Sequence, residues 1–305
     1  MTTSQPVPAL AQTLSRHRRS RRAVVLAPLV IAAVVLVLWE IASRSGLVPA
    51  FFLPAPSAVA TRLWADLTTG NLLGYTWVTL IEALLGSLLG ASVAMPLGYL
   101  VARNRWAAAG LQPYIAASQA LPAVALAPLL VIWIGYGLLP IVLLCALLVF
   151  FPILLATVLG LRTLDPEIVD AARLDGAHGW SMLRYIELPM SLPSLLTGLR
   201  NGFTLSVTGA VVGEFVMGGD GLGMVLAVQS NSADTTGLFA TLVVLAVLAV
   251  LMYALLREVE RLVLHDGPTV RRRRFATTAP PATTPLTPRP SGAAATPAPS
   301  PWSHR

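Results

Sequence analysis

The chain contains no lysine: all 21 of its basic residues are arginine. A phosphate-gripping loop of the GxxxxGK[ST] type needs its lysine to reach the phosphates, so this chain carries no such loop. Cysteine is nearly absent as well. Cys145 stands alone inside an apolar run, which rules out an intrachain disulfide. His17, His178, His265 and His304 are scattered without ligand spacing, and no metal site is expected. There is no Gly-x-Ser-x-Gly elbow and no cysteine with a nucleophile-activating partner, so the usual signs of a membrane enzyme are missing and no catalytic residue is assigned. Charge is scarce too. Charged residues make up 11% of the chain, against roughly 25% in an ordinary soluble domain.

What fills the space is apolar. Hydrophobic residues are 55% of the chain and the mean hydropathy is +0.73, the composition of an integral membrane protein. Runs long enough to cross a hydrocarbon core, which takes about 20 helical residues, recur six times. They lie near 23–43, 74–102, 108–135, 138–161, 191–216 and 236–257. Backbone polar groups in lipid are satisfied only by helices or closed barrels, and uninterrupted apolar runs without alternation indicate helices. The expectation is an all-α, polytopic membrane protein with six transmembrane helices. The third run carries Pro113, Pro122 and Pro128, so a broken helix facing other helices is expected there.

Arginine placement sets the orientation. "RHRRSRR" (16–22) precedes the first run, Arg103 and Arg105 follow the second, Arg162, Arg173 and Arg184 lie between the fourth and fifth, and Arg257, Arg261 and Arg271 to Arg274 follow the sixth. Both termini are therefore expected on the cytoplasmic side of the cell membrane. The opening "SRRAVVLA" resembles an export signal, but no small-residue cleavage site follows it, and an uncleaved first span is the better reading. The arginine clusters are topology signals and contacts to anionic lipid; no nucleic-acid partner is expected. Three regions result: a basic tail over 1–22, a transmembrane domain over 23–264, and a Pro/Ala/Thr-rich tail over 265–305 expected to be disordered.

The segment 44–73 reads as external, with a short amphipathic helix that Ser57 could cap and whose apolar face is Val59, Leu63, Trp64 and Leu67. The spacing in "GSLLGASVAMPLG" (86–98) suits close helix packing.

One polar cassette interrupts the apolar pattern: "TLDPEIVDAARLDGAHGWSMLRYIELP" (163–189). Asp165 is placed as an N-cap, Pro166 at the first helical position and Glu167 in the first turn, and Gly176 stops the helix. A second short helix is expected from about Gly179 to Leu188, ended by Pro189. Asp170, Ala171, Ala172, Gly176, Ile186, Leu188 and Pro189 match the pattern acid-Ala-Ala, three residues, Gly, nine residues, Ile-x-Leu-Pro. This resembles the "EAA" motif of the membrane subunits of bacterial ATP-binding-cassette importers, with Asp170 in place of the usual Glu.

The resemblance implies that the loop 165–189 is a cytoplasmic coupling helix docked on a separate ATPase subunit. Gly176 would allow the close turn, Ala171 and Ala172 a close approach, and Asp170, Arg173, Asp175, Arg184 and Glu187 polar contacts. ATP would be bound by that partner, and this chain needs no cofactor. "GAVVGEFVMGGDGLG" (209–223), "FFLPAPSAV" (51–59) and "ALPAVALAPLLVIWIGYG" (120–137) are similar to the nitrate/sulfonate/taurine branch of these permeases. The likeness covers about 36–262 and implies a homodimer fed by an extracytoplasmic solute-binding protein. The solute would be a small anion such as nitrate or a sulfonate, or a vitamin precursor such as a pyrimidine or riboflavin.

Acids inside spans are costly and ordinarily face a cavity or a partner. Glu82 and Glu214, with the glycines Gly219, Gly221 and Gly223, are accordingly the candidate pathway or gate residues; for Glu214 a helix-end carboxylate in the outer headgroup region is the plainer alternative. Arg200 either lines the pathway or reaches to the cytoplasmic face. A self-sufficient secondary transporter or channel is the competing class, but the chain has no internal repeat and few ionisable residues deep in its spans.

Overall fold

The computed structural model describes residues 27–28, 30–46, 48–49, 51–119 and 122–265. The expectations for the basic segment 1–22 and for the tail beyond 265 lie outside these residues. Among the described residues every regular element is helical. They are α1 (30–44), α2 (Pro56–Thr68), α3 (Leu72–Arg103), α4 (Arg105–Gln119), α5 (Ala127–Ile134), α6 (Leu138–Arg162), α7 (Pro166–Leu174), α8 (Gly179–Met182), α9 (Leu188–Met217), α10 (Leu222–Asn231) and α11 (Thr235–His265).

Three of them, α3, α6 and α11, are long and apolar enough to cross a membrane, and a fourth span results if Gly179–Met217 and α10, bent by 47° at their junction, count as one. The expected third span is broken: α4 is followed, past Pro122, by a 3-10 turn (Ala123–Leu126) and the short α5. Proline acts here by position. Pro113 is carried inside α4 and Pro128 sits in the first turn of α5, where its missing N–H costs nothing.

The centre of the bundle is α3, α6 and α9. Lipid is as apolar as leucine, so helices associate in a membrane through close packing and hydrogen bonds rather than by leaving water. Small residues supply that closeness. A methyl added at Gly90 would stand 2.7 Å from the Ala146 carbonyl oxygen of α6, and one at Gly98 would stand 2.8 Å from Thr157 Cβ. The core between these helices holds Ile141, Leu144, Cys145, Val207 and Ala210, with a second cluster of Ala94, Val149, Ile153 and Leu154 toward the α7 end.

The helix α11 is peripheral: 22% of its most apolar stretch is buried, against 44% for α3 and α6. Polar contacts tie it in. Arg200 of α9 donates to Glu260 at 2.7 Å and lies 5.1 Å over the Tyr253 ring, so this arginine is engaged with a helix neighbour inside the chain.

The amphipathic helix α2 forms as expected, but Ser57 does not cap it. Its N-cap is Ala55, without a side-chain cap, and Pro56 occupies the first turn. The Glu40 carboxylate of α1 reaches across instead and accepts from the Ser57 N–H at 3.1 Å and from its hydroxyl at 2.8 Å. A carboxylate favours the N-terminal end of a helix dipole, which explains the exchange. Val59, Leu63 and Leu67 face the bundle, whereas Trp64 is 71% exposed.

Candidate functional site

Near the end of α9, Glu214 is fully buried. The chain then turns sharply at Gly218, with φ +76, and α10 starts at Leu222. The first N–H groups of a helix have no partner within it and need acceptors from elsewhere. Glu214 Oε2 accepts from the Gly223 N–H at 2.5 Å, and Thr79 Oγ1 of α3 accepts from the Leu222 N–H at 2.9 Å. Thr79 in turn donates to Glu214 Oε1 at 2.7 Å. Three elements are thus stapled by one carboxylate and one hydroxyl, and the carboxylate lies on the positive end of the α10 dipole.

The glycines expected with Glu214 close around it. A methyl at Gly219 would stand 3.1 Å from Glu214 Cγ, one at Gly221 would run into Glu214 Oε1, and one at Gly223 would lie 2.7 Å from Glu214 Cβ. Glu82, one turn along α3 from Thr79, is 2% exposed; its carboxyl adjoins that of Glu214, and its Oε2 has no hydrogen-bond partner. All five candidate gate residues therefore meet at one place. Thr79 completes the staple and escaped the sequence reading, because a threonine inside an apolar run carries no signal of its own. Ser206 continues the polar seam, donating to the Ala83 carbonyl at 2.6 Å.

The loop 165–189 lies at the opposite end of α9, roughly 40 Å from Glu214 at 1.5 Å per helical residue. Asp165 caps α7 as expected, accepting from the Glu167 N–H at 3.0 Å. Gly176 ends the turn with φ +87, a conformation that suits glycine. Ala172 is buried in a small core with Val169 and Met182, and Ile186 packs on it, so the loop is a folded unit of its own. Asp170, Ala171, Arg173 and Arg184 are exposed, and Arg173 pairs with Asp170 at 2.9 Å.

The second helix of the loop departs from expectation. It is a four-residue turn, α8, followed by a π-helical turn, Leu183–Glu187, that runs without a break into α9. Pro189, exposed in the first turn of α9 beside the half-exposed Leu188, starts that helix and ends nothing, because a first-turn proline has no hydrogen bond to lose. Glu187 turns inward: it is 3% exposed and pairs with Arg103 at the end of α3.

Two cavities flank these features. One of about 750 Å³ lies between the loop and the ends of α3, α6 and α9, lined by Tyr99, Thr157, Trp180, Arg184, Ser191 and Leu195 among others. The other, of about 480 Å³, lies at the Glu214 end and is lined by Arg62, Asp66, Tyr75, Gln229, Ser232 and Asp234 among others. Arg62 bridges Asp66 at 3.0 Å and Asp234 at 2.9 Å, closing α2 onto the turn before α11. The Asp66 hydrogen bond holds the Arg62 guanidinium above its already high usual pKa. No group of three or more metal-ligating side chains occurs among the described residues.

An all-helical, multi-pass chain with apolar flanks, a buried polar staple at one end and a self-contained polar hairpin at the other has the build of a membrane permease. The chain belongs to the binding-protein-dependent transport system inner membrane component family, whose model matches residues 94–265. It is 43% identical to the riboflavin transport system permease protein RibX of Chloroflexus aurantiacus, over 75% of this chain and 86% of that one. It is 28% identical to the putative aliphatic sulfonates transport permease protein SsuC of Bacillus subtilis, over 76% and 84% of the two chains. Its fold is that of a chain in the inward-facing MetNI methionine transporter, with a TM-score of 0.59, 20% identity, and coverage of 65% of this chain and 98% of that one.

The protein is the inner-membrane permease subunit of an ATP-binding-cassette importer, and its partners are an ATPase and a solute-binding protein. It is no enzyme itself. The ATPase is a separate chain, which agrees with the missing lysine.

Proposed function

We propose that this chain forms half of a solute path made by two copies of itself, with six spans per copy and both termini in the cytoplasm. The loop 165–189 is the coupling helix, and Asp170, Arg173 and Arg184 face the ATPase. One observation carries this reading: α7 and α8 form a unit with its own small core, Val169, Ala172 and Met182, while Asp170, Ala171 and Arg173 stay exposed. A loop with no partner has no need of such order. At the far end, the Glu82, Thr79 and Glu214 staple holds the α9 to α10 corner and serves as the outer gate.

The solute is a heterocyclic vitamin precursor of the riboflavin class, with a small sulfonate-like anion as the second choice. The 43% identity to a riboflavin permease supports the first.

Copurification tests the coupling role. Gly176→Pro, or deletion of 170–176, should abolish recovery of the ATPase with this chain, and retained recovery would sink the role. For the solute, riboflavin should compete for uptake in cells carrying the complete system and ethanesulfonate should not; the reverse outcome would move the assignment to the anion class.

A further inference from the structure

The loop is joined covalently to α6 and α9, yet α3 stands beside both at the centre of the bundle. One tie between α3 and the loop runs through a buried charge. Asp165, Glu167, Asp170 and Asp175 are exposed, whereas Glu187 alone among the loop's acids is buried. It pairs with Arg103 in the last turn of α3, and Tyr99, one turn earlier, lines the same small cavity of about 260 Å³. Glu187 Oε2 has no hydrogen-bond partner. A buried carboxylate held by a single cation is costly to separate from it, so the two ends are bound to move together.

The backbone at this point is unusual as well. Glu187 ends the π-helical turn, a wide, under-wound insertion of the kind frequent at functional sites. Around it, Arg162 of α6 donates to the Val101 carbonyl of α3 at 3.4 Å, so α3 and α6 are also linked at this level. The charged and titratable groups facing Glu187 from the packed elements are Arg103 and Tyr99 of α3 and, across the cavity, Arg173 of α7 with His178.

The geometry points to Glu187, Arg103 and Tyr99 as positioning residues for energy coupling: they latch α3 to the root of the loop, so that displacement of the loop by the ATPase drives α3 together with α6 and α9. This rests on the coupling reading of 165–189. Without the latch, the loop would still dock and the ATPase would still turn over, but the push would bypass α3, which carries Thr79 and Glu82 of the staple at its other end.

The test uses the complete complex, with ATPase and binding protein, in proteoliposomes, and reads solute taken up per ATP hydrolysed. In Glu187→Gln that ratio should fall about tenfold, within the usual range of coupling energies, while the ATPase stays bound. The exchanged pair Arg103→Glu with Glu187→Arg should recover most of it, and Tyr99→Phe should lower it by a smaller factor. An unchanged ratio in Glu187→Gln would overturn the latch. If Glu187→Gln fails to assemble, Arg103→Gln, which removes the cation, and Tyr99→Phe decide on the same ratio, and parent values in both would also overturn it. Loss of the coupling reading itself looks different: Gly176→Pro or deletion of 170–176 then leaves recovery of the ATPase at the parent level.

Discussion

Thr79 of α3 and Glu214 of α9, 135 positions apart in the chain, meet at 2.7 Å inside the bundle, and between them they cap the first two N–H groups of α10. Glu214 lies nine positions before Gly223, whereas Thr79 is 143 positions from Leu222. The consequence is a corner whose stability depends on two side chains drawn from other helices.

Thr79→Val keeps the shape and removes both hydrogen bonds, leaving a buried N–H and a carboxylate oxygen short of a partner. It should destabilise by about 1 to 3 kcal/mol, the usual cost of orphaned buried groups, while Thr79→Ser stays close to the parent. Thermal unfolding of the purified subunit in detergent measures the difference; equal midpoints for the two variants would contradict the staple.

Glycine replacements should sort by what surrounds them. An added methyl at Gly223 would meet Glu214 Cβ at 2.7 Å, whereas Gly110 in α4 has nothing within 4 Å. Gly223→Ala should therefore cost about 1 to 3 kcal/mol through overpacking. Gly110→Ala should be neutral or stabilising by about 0.5 to 1 kcal/mol, since alanine is the better helix former. Folded yield and unfolding midpoint together check the order.

Arg200 and Glu260 make a half-buried pair at 2.7 Å. Removing one partner, as in Glu260→Ala, should destabilise by about 3 kcal/mol, because the remaining charge is left without compensation. The double variant Arg200→Met with Glu260→Met should lose less than either single change. A double-mutant cycle on thermal unfolding reads the coupling, and strict additivity would show the pair to be incidental.

Arg62 should matter less to stability than its two ion pairs suggest. Its side chain is 40% exposed, and exposed pairs contribute about 0 to 1 kcal/mol. Arg62→Ala is expected to shift unfolding by less than about 1 kcal/mol, the apolar contacts of Val59, Leu63 and Leu67 keeping α2 in place. A larger loss would mean that the arginine, and not the apolar face, holds the helix.

The sequence by itself determined the class of the molecule and the start and turn of the polar loop. Lipid forbids unpaired backbone, so long apolar runs without alternation had to be helices, and the missing lysine excluded a phosphate loop. Local chemistry also sufficed for α7, where Asp165 caps and Gly176 turns as their types require. Only the tertiary structure decided which distant groups meet. Ser57 lost its capping role because Glu40 reaches it from another helix, Pro189 begins a helix instead of ending one, and Glu187 left the loop's polar face for Arg103. Glu82, Glu214 and the three glycines were legible as costly or unusual residues in a span, yet their convergence on Thr79 depends on α3, α9 and α10 packing together. Contacts across more than a hundred residues follow from how helix faces fit, and a pattern of residue types along one chain holds no record of that fit.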